Sequence, residues 1–313
     1  MNNSPVKLIA SIKDNLWGGT RLITDFGKKT SLKIAAESWE LSTHPDGEST
    51  VSGGEFDGMK LSEYIKANGG DECLGSNAAK FDFFPLLIKF IDAKDDLSIQ
   101  VHPDDEYALR AEGEYGKTEV WYIMDCNKDS YLYYGLNREV SKEEFEERIK
   151  NNTLVEILNK VPVHKGDVFF IPSGTIHAIC SGILICEVQQ NSNTTYRVYD
   201  YDRRGADGKP RQLHIEKAIE VSNLFPPRPT ETLSDDTIAS CKYFTVKKID
   251  CTDTEKVEID NKCFRSLVII DGEGSVEING FKIEFKKGES IFVPAQNGTM
   301  NFIGEFEAIL SYV

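Results

Sequence analysis

The chain has 313 residues, and its 36 Lys plus Arg against 51 Asp plus Glu give a formal net charge of −15 at pH 7. This length predicts roughly two domains, and 40% hydrophobic residues is enough apolar material to build their cores. So large an acidic excess argues against duplex nucleic acid or an anionic membrane surface as the main partner. At first reading it also disfavours small anionic ligands.

Seven cysteines are present, an odd number without a C-x-x-C pair. This pattern disfavours a disulfide framework or a zinc finger and predicts inert thiols in a reducing compartment. The N-terminal segment lacks the apolar core and small-residue cleavage site of a signal peptide, and no stretch is apolar enough to span a membrane. We therefore expect a cytoplasmic protein, and the sequence does not indicate its oligomeric state.

Most of the chain consists of short apolar runs separated by Gly, Asn, Asp and Pro, a pattern that predicts a mainly β protein. Three helices interrupt it, at 61–70, from the capping box of Ser141 and Glu144 to about Lys160, and at 214–225. Two adjacent prolines follow the third helix. They predict a catalytic domain over 1–226, with a helical insertion near 141–160, and a second domain over 227–313.

A degenerate internal repeat supports this division. Residues 166–177 read GDVFFIPSGTIH and residues 288–299 read GESIFVPAQNGT. The first copy resembles the second motif of the cupin family, G-x5-P-x-G-x2-H, at every fixed position and ends on His177, where the second copy has Thr299. The resemblance implies two cupin (jelly-roll) barrels with a few inserted or flanking helices, of which the C-terminal one is degenerate and lacks a metal.

Two neighbouring strands of the first domain carry polar side chains of the kind that bind metals. In LSIQVHPDD, strand alternation places Ser98, Gln100 and His102 on one face. This face is either solvated or turned toward a ligand. In the next strand Glu119 shares a face with bulky apolar residues, where a carboxylate is costly unless it is paired or bound to a metal.

With His177, these residues form a mixed nitrogen and oxygen set without thiolate, which suits a catalytic Zn²⁺ site: Gln100, His102, Glu119 and His177. The other histidines are not assigned to the metal. We expect His44 at the surface or supporting the site from outside, His164 in a solvated turn, and His214 at the start of a helix, where capping or exposure explains it.

Longer motifs resemble the short bacterial form of the type I mannose-6-phosphate isomerase family over nearly the whole chain. They are SIQVHPDD, GKTEVWYI, IPSGTIHAI and NSNTTYRVYDYDR, in that order, together with LWGG and ESWELSTHP. The resemblance implies interconversion of mannose 6-phosphate and fructose 6-phosphate, with one zinc ion held by the same four residues. It places the family's catalytic arginine on Arg197. The position four residues earlier, often Asp in relatives, is Asn193 here.

Moving a proton between two adjacent carbons through a cis-enediol requires a base and a group that stabilises the enediolate. Arg197 is assigned electrostatic stabilisation, because a guanidinium is a poor base. Glu187 is the first candidate for the base and Lys89 the second. Lys117 and Asn193 are candidates for substrate binding, as is Trp17, either as a lid over the sugar or as a plug in the barrel.

Three alternatives remain open on the sequence alone. The chain is a metal cupin acting on a different sugar or sugar phosphate, an iron cupin dioxygenase, or a sugar-binding cupin without activity. Gln100 disfavours the dioxygenase, because it replaces the first histidine of the His-x-His pair typical of those proteins. In the isomerase interpretation the partner is a small sugar phosphate, bound by zinc, Lys89, Arg197 and Lys117 in a positive pocket of an acidic protein.

Overall fold

The computed structural model describes residues 3–205, 208–228, 233 and 236–313. The protein is mainly β, with 41% strand and 16% helix, as predicted. The strands are β1 Val6–Ile9, β2 Ser11–Lys13, β3 Glu37–Leu41, β4 Thr50–Ser52, β5 Leu86–Ala93, β6 Ile99–Val101, β7 Glu119–Cys126, β8 Tyr131–Leu136, β9 Leu158–Pro162, β10 Val168–Ile171, β11 His177–Ile179, β12 Ile183–Gln190, β13 Tyr196–Tyr199, β14 Thr237–Ser240, β15 Thr245–Cys251, β16 Thr254–Ile259, β17 Arg265–Ile278, β18 Phe281–Lys286, β19 Ser290–Val293 and β20 Gly298–Tyr312.

The helices are short, and within the described ranges none has the length and hydropathy needed to cross a bilayer. They are α1 Arg21–Thr24, α2 Leu61–Ala67, α3 Asp71–Leu74, α4 Asp105–Ala111, α5 Lys142–Lys150 and α6 Ile215–Val221, with 3₁₀ turns at Gly54–Phe56, Ala78–Lys80 and Leu154–Ile157. The capping box of α5 is confirmed, because the Glu144 amide donates to Ser141 Oγ.

The predicted end of α5 near Lys160 is wrong. The helix ends at Lys150, and Asn152 then adopts a left-handed conformation with φ of +55°. Asparagine tolerates this conformation better than most residues, and it turns the chain out of the helix. A 3₁₀ turn follows, and β9 begins at Leu158.

Two antiparallel sheets pack against each other in the N-terminal part of the chain. One has the strand order β10-β7-β12-β5-β3-β2 and the other β13-β6-β11-β8-β9. Trp121 and Ile123 from the first sheet and Leu132 and Ile179 from the second share one buried apolar cluster. The inner faces of the two sheets therefore meet, and polar residues placed on both faces can converge between them.

A third sheet, of nine strands, contains the C-terminal part of the chain and also β1 and β4 from the N-terminal part. Strand β1 pairs antiparallel with β19, with Lys7 opposite Ile291. The sequence predicts a domain boundary near residue 227, and the pairing of β1 with β19 crosses this position. The largest apolar cluster also contains residues from both sides of that boundary, Phe90 and Phe264 among them.

The first prediction concerns this shared core. Phe264 is fully buried, with its ring stacked on Phe84 and Phe292 at centroid distances of 5.2 and 5.4 Å. We expect Phe264→Ala to lower the free energy of unfolding by about 3–5 kcal/mol, since it leaves a cavity that neighbours fill only in part. Denaturant unfolding measures this change. The control is Phe281→Ala, at a 45% exposed position on β18 of the nine-stranded sheet, which is expected to change stability by about 0.5 kcal/mol or less. Equal losses in both variants would contradict the assignment of Phe264 to the shared core.

Candidate active site

A polar cavity of about 510 Å³ opens between the two N-terminal sheets. Its lining includes seven of the residues predicted from the sequence, namely Trp17, Lys89, Gln100, Lys117, Glu187, Asn193 and Arg197. The remaining three, His102, Glu119 and His177, lie buried beside it. His177 contacts Gln100, Glu119 contacts Lys117, and His102 lies next to Glu119. The structure therefore brings all ten predicted residues together.

Three buried groups of this set form a cluster whose ligand atoms all lie within 4.8 Å of one another: His102, Glu119 and His177. The β6–β11 register places Gln100 opposite His177, and the two side chains approach to 3.3 Å between their Nε2 atoms. Glu119 reaches across from the other sheet, with Oε1 at 3.4 Å from His177 Nε2 and Oε2 at 3.7 Å from His102 Nε2.

The protonation of the two histidines suits a metal. Each Nδ1 is within hydrogen-bond distance of a backbone carbonyl, that of Thr194 for His102 and that of Thr175 for His177. A proton on Nδ1 leaves the lone pair of Nε2 pointing into the cluster. Burial lowers the pKa of both imidazoles, that of His177 to about 4 and that of His102 well below its ordinary value. Both are therefore neutral near pH 7.

Buried polar atoms without partners show that the cluster is incomplete by itself. Among the described residues, His102 Nε2 and Glu119 Oε1 have no hydrogen-bond partner, although both are buried. Leaving such atoms unpaired costs about 1–3 kcal/mol each, and more for a charged group. A cation between them would satisfy both, so the donor set fits the metal that the sequence predicts.

Beyond Glu119, buried charges of alternating sign continue across the inner face of the sheet. Lys117 Nζ lies 3.0 Å from Glu119 Oε2 and 3.8 Å from Glu187 Oε1. Lys89 Nζ lies 3.7 Å from Glu187 Oε1 and 3.4 Å from Glu37 Oε2. We call these five residues, from Glu119 to Glu37, the charge ladder.

The surroundings raise the pKa of two members of the charge ladder, Glu187 and Lys117. Burial, followed by the charge of Glu119, raises the pKa of Glu187 above its ordinary value. Burial alone would lower the pKa of Lys117, but Glu119 and Glu187 together raise it. Glu187 Oε2 accepts a hydrogen bond of 2.8 Å from Trp121 Nε1. Oε1 has no hydrogen-bond partner among the described residues.

Arg197 enters the cavity from β13, the strand next to β6 in the smaller sheet. Its Nε donates to Ser98 Oγ at 3.3 Å and its Nη1 to the carbonyl of Gln212 at 3.0 Å. Burial, with the charge of Arg211 next, lowers the pKa of Arg197 from its ordinary value. It nevertheless stays charged near neutral pH, because a guanidinium has an ordinary pKa above 12.

Two of the remaining histidines, His214 and His44, lie in surroundings that differ from those expected from the sequence. His214 neither caps α6 through its side chain nor is exposed, since its Nδ1 accepts from the Arg197 amide and its ring lines the cavity. The surface alternative for His44 is wrong, because the residue is 4% exposed and its Nε2 lies 3.4 Å from Glu114 Oε1. His164 is exposed in a turn, as predicted.

Two further sequence predictions concern Trp17 and Thr299. Trp17 is 4% exposed and packs in an apolar cluster with Ile91 and Leu97, an environment that favours the plug over a mobile lid. In the C-terminal copy of the repeat, Thr299 Oγ1 donates to Glu258 Oε1 at 2.8 Å.

Glu114, which the sequence did not single out, anchors the turn that carries Asn193. Its Oε2 accepts from the Asn193 amide, Thr194 Oγ1 and Ser192 Oγ at 3.1–3.3 Å. The Asn193 side chain donates 2.7 Å to Asp46 Oδ2. An aspartate in its place would face a like charge, which gives a physical reason for the amide. The only available signal, an acidic residue in a polar run, could not identify this role.

The ionised Glu114 carboxylate is expected to make a pH-dependent contribution to the stability of the fold. The hydrogen bond from His44 holds the pKa of Glu114 at about 2, against an ordinary value of 4.5. The ionised form therefore stabilises the fold fully above about pH 4.5, and this contribution is lost as the pH falls toward about 2. For the metal-free protein we expect Glu114→Gln to be less stable than the parent at pH 7, with the difference shrinking between about pH 5 and 3.

Unfolding by denaturant at several pH values tests this expectation. The control is Glu106→Gln, which removes an exposed carboxylate from the nearby helix α4 and leaves stability nearly unchanged. A difference between the parent and Glu114→Gln that is constant over the whole range would contradict the account. The same variant is expected to bind a divalent metal about tenfold or more weakly, because the Thr194 carbonyl that orients His102 is no longer held in place.

Comparison with known proteins identifies the family of the chain. The chain matches the family model described as phosphomannose isomerase type I, catalytic domain, over residues 6–139, and the mannose-6-phosphate isomerase cupin domain over residues 234–313. It is 40% identical to the mannose-6-phosphate isomerase ManA of Bacillus subtilis over the full length of both chains. It is 36% identical to a mannose-6-phosphate isomerase of Streptococcus mutans over 98% of each chain.

Solved structures extend the comparison to the fold. The crystal structure of the mannose 6-phosphate isomerase from Bacillus subtilis superposes with a TM-score of 0.91 at 36% identity, over 99% of this chain and 100% of that one. A variant of the phosphomannose isomerase from Salmonella typhimurium shares the fold at 18% identity, with a TM-score of 0.79 over 99% of each chain. The predicted cupin fold is confirmed, and the chain belongs to the type I phosphomannose isomerase family.

Proposed function

We propose that this isomerase interconverts mannose 6-phosphate and fructose 6-phosphate through a cis-enediol, with one zinc ion held by Gln100, His102, Glu119 and His177. One observation carries the proposal. Buried imidazole and carboxylate atoms without partners converge at the end of a polar cavity whose walls carry a base and several cations. Family membership supports the reaction and the substrate.

The donor set supports zinc as the metal. Neutral imidazoles with oxygen ligands and no thiolate are typical of catalytic zinc sites that keep a position open for substrate. All seven cysteines lie in the described part of the chain and are free thiols, none of them in the cluster of His102, Glu119 and His177. A bound zinc ion supplies polarisation of the sugar carbonyl and holds negative charge as it develops on the adjacent oxygens.

We assign the transfer of the carbon-bound proton to Glu187, which acts as the base. Its Oε1 is free to accept, it lines the cavity, and its raised pKa makes it a stronger base than an ordinary carboxylate. The carboxylate takes the proton from carbon 2 of mannose 6-phosphate and returns it to carbon 1, while a hydroxyl proton moves from oxygen 2 to oxygen 1. Lys89, 3.7 Å from Glu187, is the alternative group for the carbon-bound proton.

Cations on the walls explain how an acidic protein binds an anionic sugar. Lys13, Lys89, Lys117, Arg197 and Arg211 all line the cavity. The carboxylates of Glu37, Asp46 and Glu187 line it too, so the cations outnumber the anions there. Binding depends on this local field and not on the net charge of −15. We assign Arg197 to stabilising the enediolate or the phosphate, with Lys117 and Asn193 contributing to substrate binding.

Two alternatives are separated by simple measurements. A cupin dioxygenase would contain iron and consume oxygen, and a sugar-binding cupin would bind the sugar phosphate without turnover. A coupled assay in both directions, with and without added zinc, separates all three. The free thiols support a reducing compartment, and we place the protein in the cytoplasm.

The metal assignment predicts a stoichiometry. We expect close to one zinc per chain by elemental analysis, and loss of isomerisation on chelation, because no side chain at the site replaces the carbonyl polarisation. His177→Ala is expected to lose the metal. Thr299→Ala, at the matching position of the C-terminal repeat, keeps both zinc and rate. Iron with oxygen-dependent turnover, or full activity in metal-free protein, would overturn the assignment.

Arg197 gives a separate prediction about catalysis. We expect Arg197→Ala to retain zinc but to lose about two to three orders of magnitude in kcat, comparable to the loss of one electrostatic donor in other enzymes. Steady-state kinetics with elemental analysis measures both quantities. The exposed Arg110→Ala serves as the control and keeps the parent rate. Near-parental turnover of Arg197→Ala would remove this residue from the mechanism.

A further inference from the structure

The charge ladder ends on a carboxylate that has no role in the reaction described above. Glu37 stands at the start of β3, two strands away from β12, and reaches Lys89 with its Oε2 at 3.4 Å from Nζ. Among the described residues, it forms no hydrogen bond or ion pair with Glu187 or with the cluster of His102, Glu119 and His177. Its charge acts on Glu187 from a distance, raising the pKa of that carboxyl, but its contact with the site passes through Lys89.

Glu37 is itself held on both oxygens. Oε1 accepts 2.6 Å from Asn15 Nδ2, and Oε2 accepts 2.7 Å from Trp39 Nε1. Burial alone would raise the pKa of Glu37, but the charge of Lys89 and the indole hydrogen bond together lower it below its ordinary value. The carboxylate is therefore ionised, and its position is set by two donors from separate segments.

Lys89 is fixed by the same arrangement. The β3–β5 register places Trp39 opposite Lys89, and Lys89 Nζ lies 4.8 Å from the centre of the Trp39 ring. Lys89 is 4% exposed, so its ammonium has little water to solvate it and depends on Glu37, Glu187 and the indole face. Without the charge of Glu37, its remaining counter-ion would be Glu187.

This dependence affects the base. Glu187 Oε1 already lies 3.8 Å from Lys117 as well as 3.7 Å from Lys89. If Lys89 lost Glu37, it would be drawn closer to Glu187 and occupy the lone pair that must accept the carbon-bound proton. A tighter ion pair also lowers the basicity of the carboxylate. Glu37 thus balances Lys89 from the side opposite to the base.

We propose that Glu37 is a positioning residue for the isomerisation, which holds the Lys89 ammonium away from Glu187 so that Glu187 Oε1 stays free. The inference rests on the proposed roles of Glu187 and Lys89. It assigns to Glu37 a function in the reaction exerted through Lys89. Glu37 also lines the cavity, so direct contact with the sugar is the alternative that the test must separate.

The test is a double-mutant cycle of Glu37→Gln and Lys89→Met. Glutamine keeps the shape and removes the charge, so we expect kcat to fall about tenfold or more while KM for mannose 6-phosphate changes less than about threefold. In the Lys89→Met background, measured at high enzyme concentration, Glu37→Gln should have a clearly smaller effect on kcat than in the parent, because the direct influence of the Glu37 charge on Glu187 remains while the group through which it mainly acts is gone.

Glu40→Gln is the matched control. Glu40 lies on the same strand and is fully buried, and its Oε1 forms an ion pair with Lys28 at 2.6 Å. It also accepts from Ser290 of the nine-stranded sheet, away from the cavity. We expect Glu40→Gln to reduce thermal stability and to leave kcat within about twofold of the parent, so a loss of kcat in both variants would indicate a merely structural effect.

Should Glu37→Gln not fold, Trp39→Phe removes the indole donor but keeps an aromatic face under Lys89. Trp39→Phe is expected to lower kcat less than Glu37→Gln does, and this loss should likewise shrink in the Lys89→Met background. Equal losses in both backgrounds would contradict the proposal and indicate direct contact of Glu37 with the sugar. Parental kcat in Glu37→Gln, with an active parent enzyme, would also overturn it. A parent without isomerase activity would instead overturn the proposed function.

Discussion

The structure depends on how buried charges are compensated between two packed sheets. Each ion removed from water costs several kcal/mol unless partners of opposite sign replace the solvent. The charge ladder meets this requirement with three carboxylates and two ammonium groups in alternation. One negative charge is left over, at the end where Glu119 faces two neutral imidazoles. A divalent cation at that end would more than offset this charge and leave a net charge of about +1, which suits an anionic sugar, so the candidate metal site and the proposed base belong to one electrostatic unit.

This unit explains why strand register matters so much here. Lys89, Glu187 and Trp121 stand opposite one another on three adjacent strands, and Gln100 stands opposite both His177 and Arg197 on the other sheet. A shift of one residue in any of these pairings would turn a ligand or a charge to the wrong face. The apolar cluster around Trp121 and Ile179 fixes the distance between the two inner faces. Packing and catalysis therefore use the same contacts.

Much of the site could be predicted from the sequence because its residues follow local rules. Alternation in LSIQVHP placed Gln100 and His102 on one face, and the repeat ending in His177 identified the cupin motif. Glu37 and Glu114 were missed, since their partners Lys89 and His44 are 52 and 70 positions away in the sequence. The helix from Ser141 was predicted too long because charge patterning continues past Asn152, where the backbone turns. Pairing of β1 with β19 had no local signal at all.

The most direct test of the central claim is X-ray absorption at the zinc edge of the purified enzyme. The account predicts a shell of nitrogen and oxygen atoms only, at about 2.0–2.2 Å, with the multiple scattering of two imidazoles. With seven free cysteines in the chain, a zinc site that recruits thiolate is the chemical alternative. A sulfur scatterer near about 2.3 Å, or a count other than two imidazoles, would contradict the assignment.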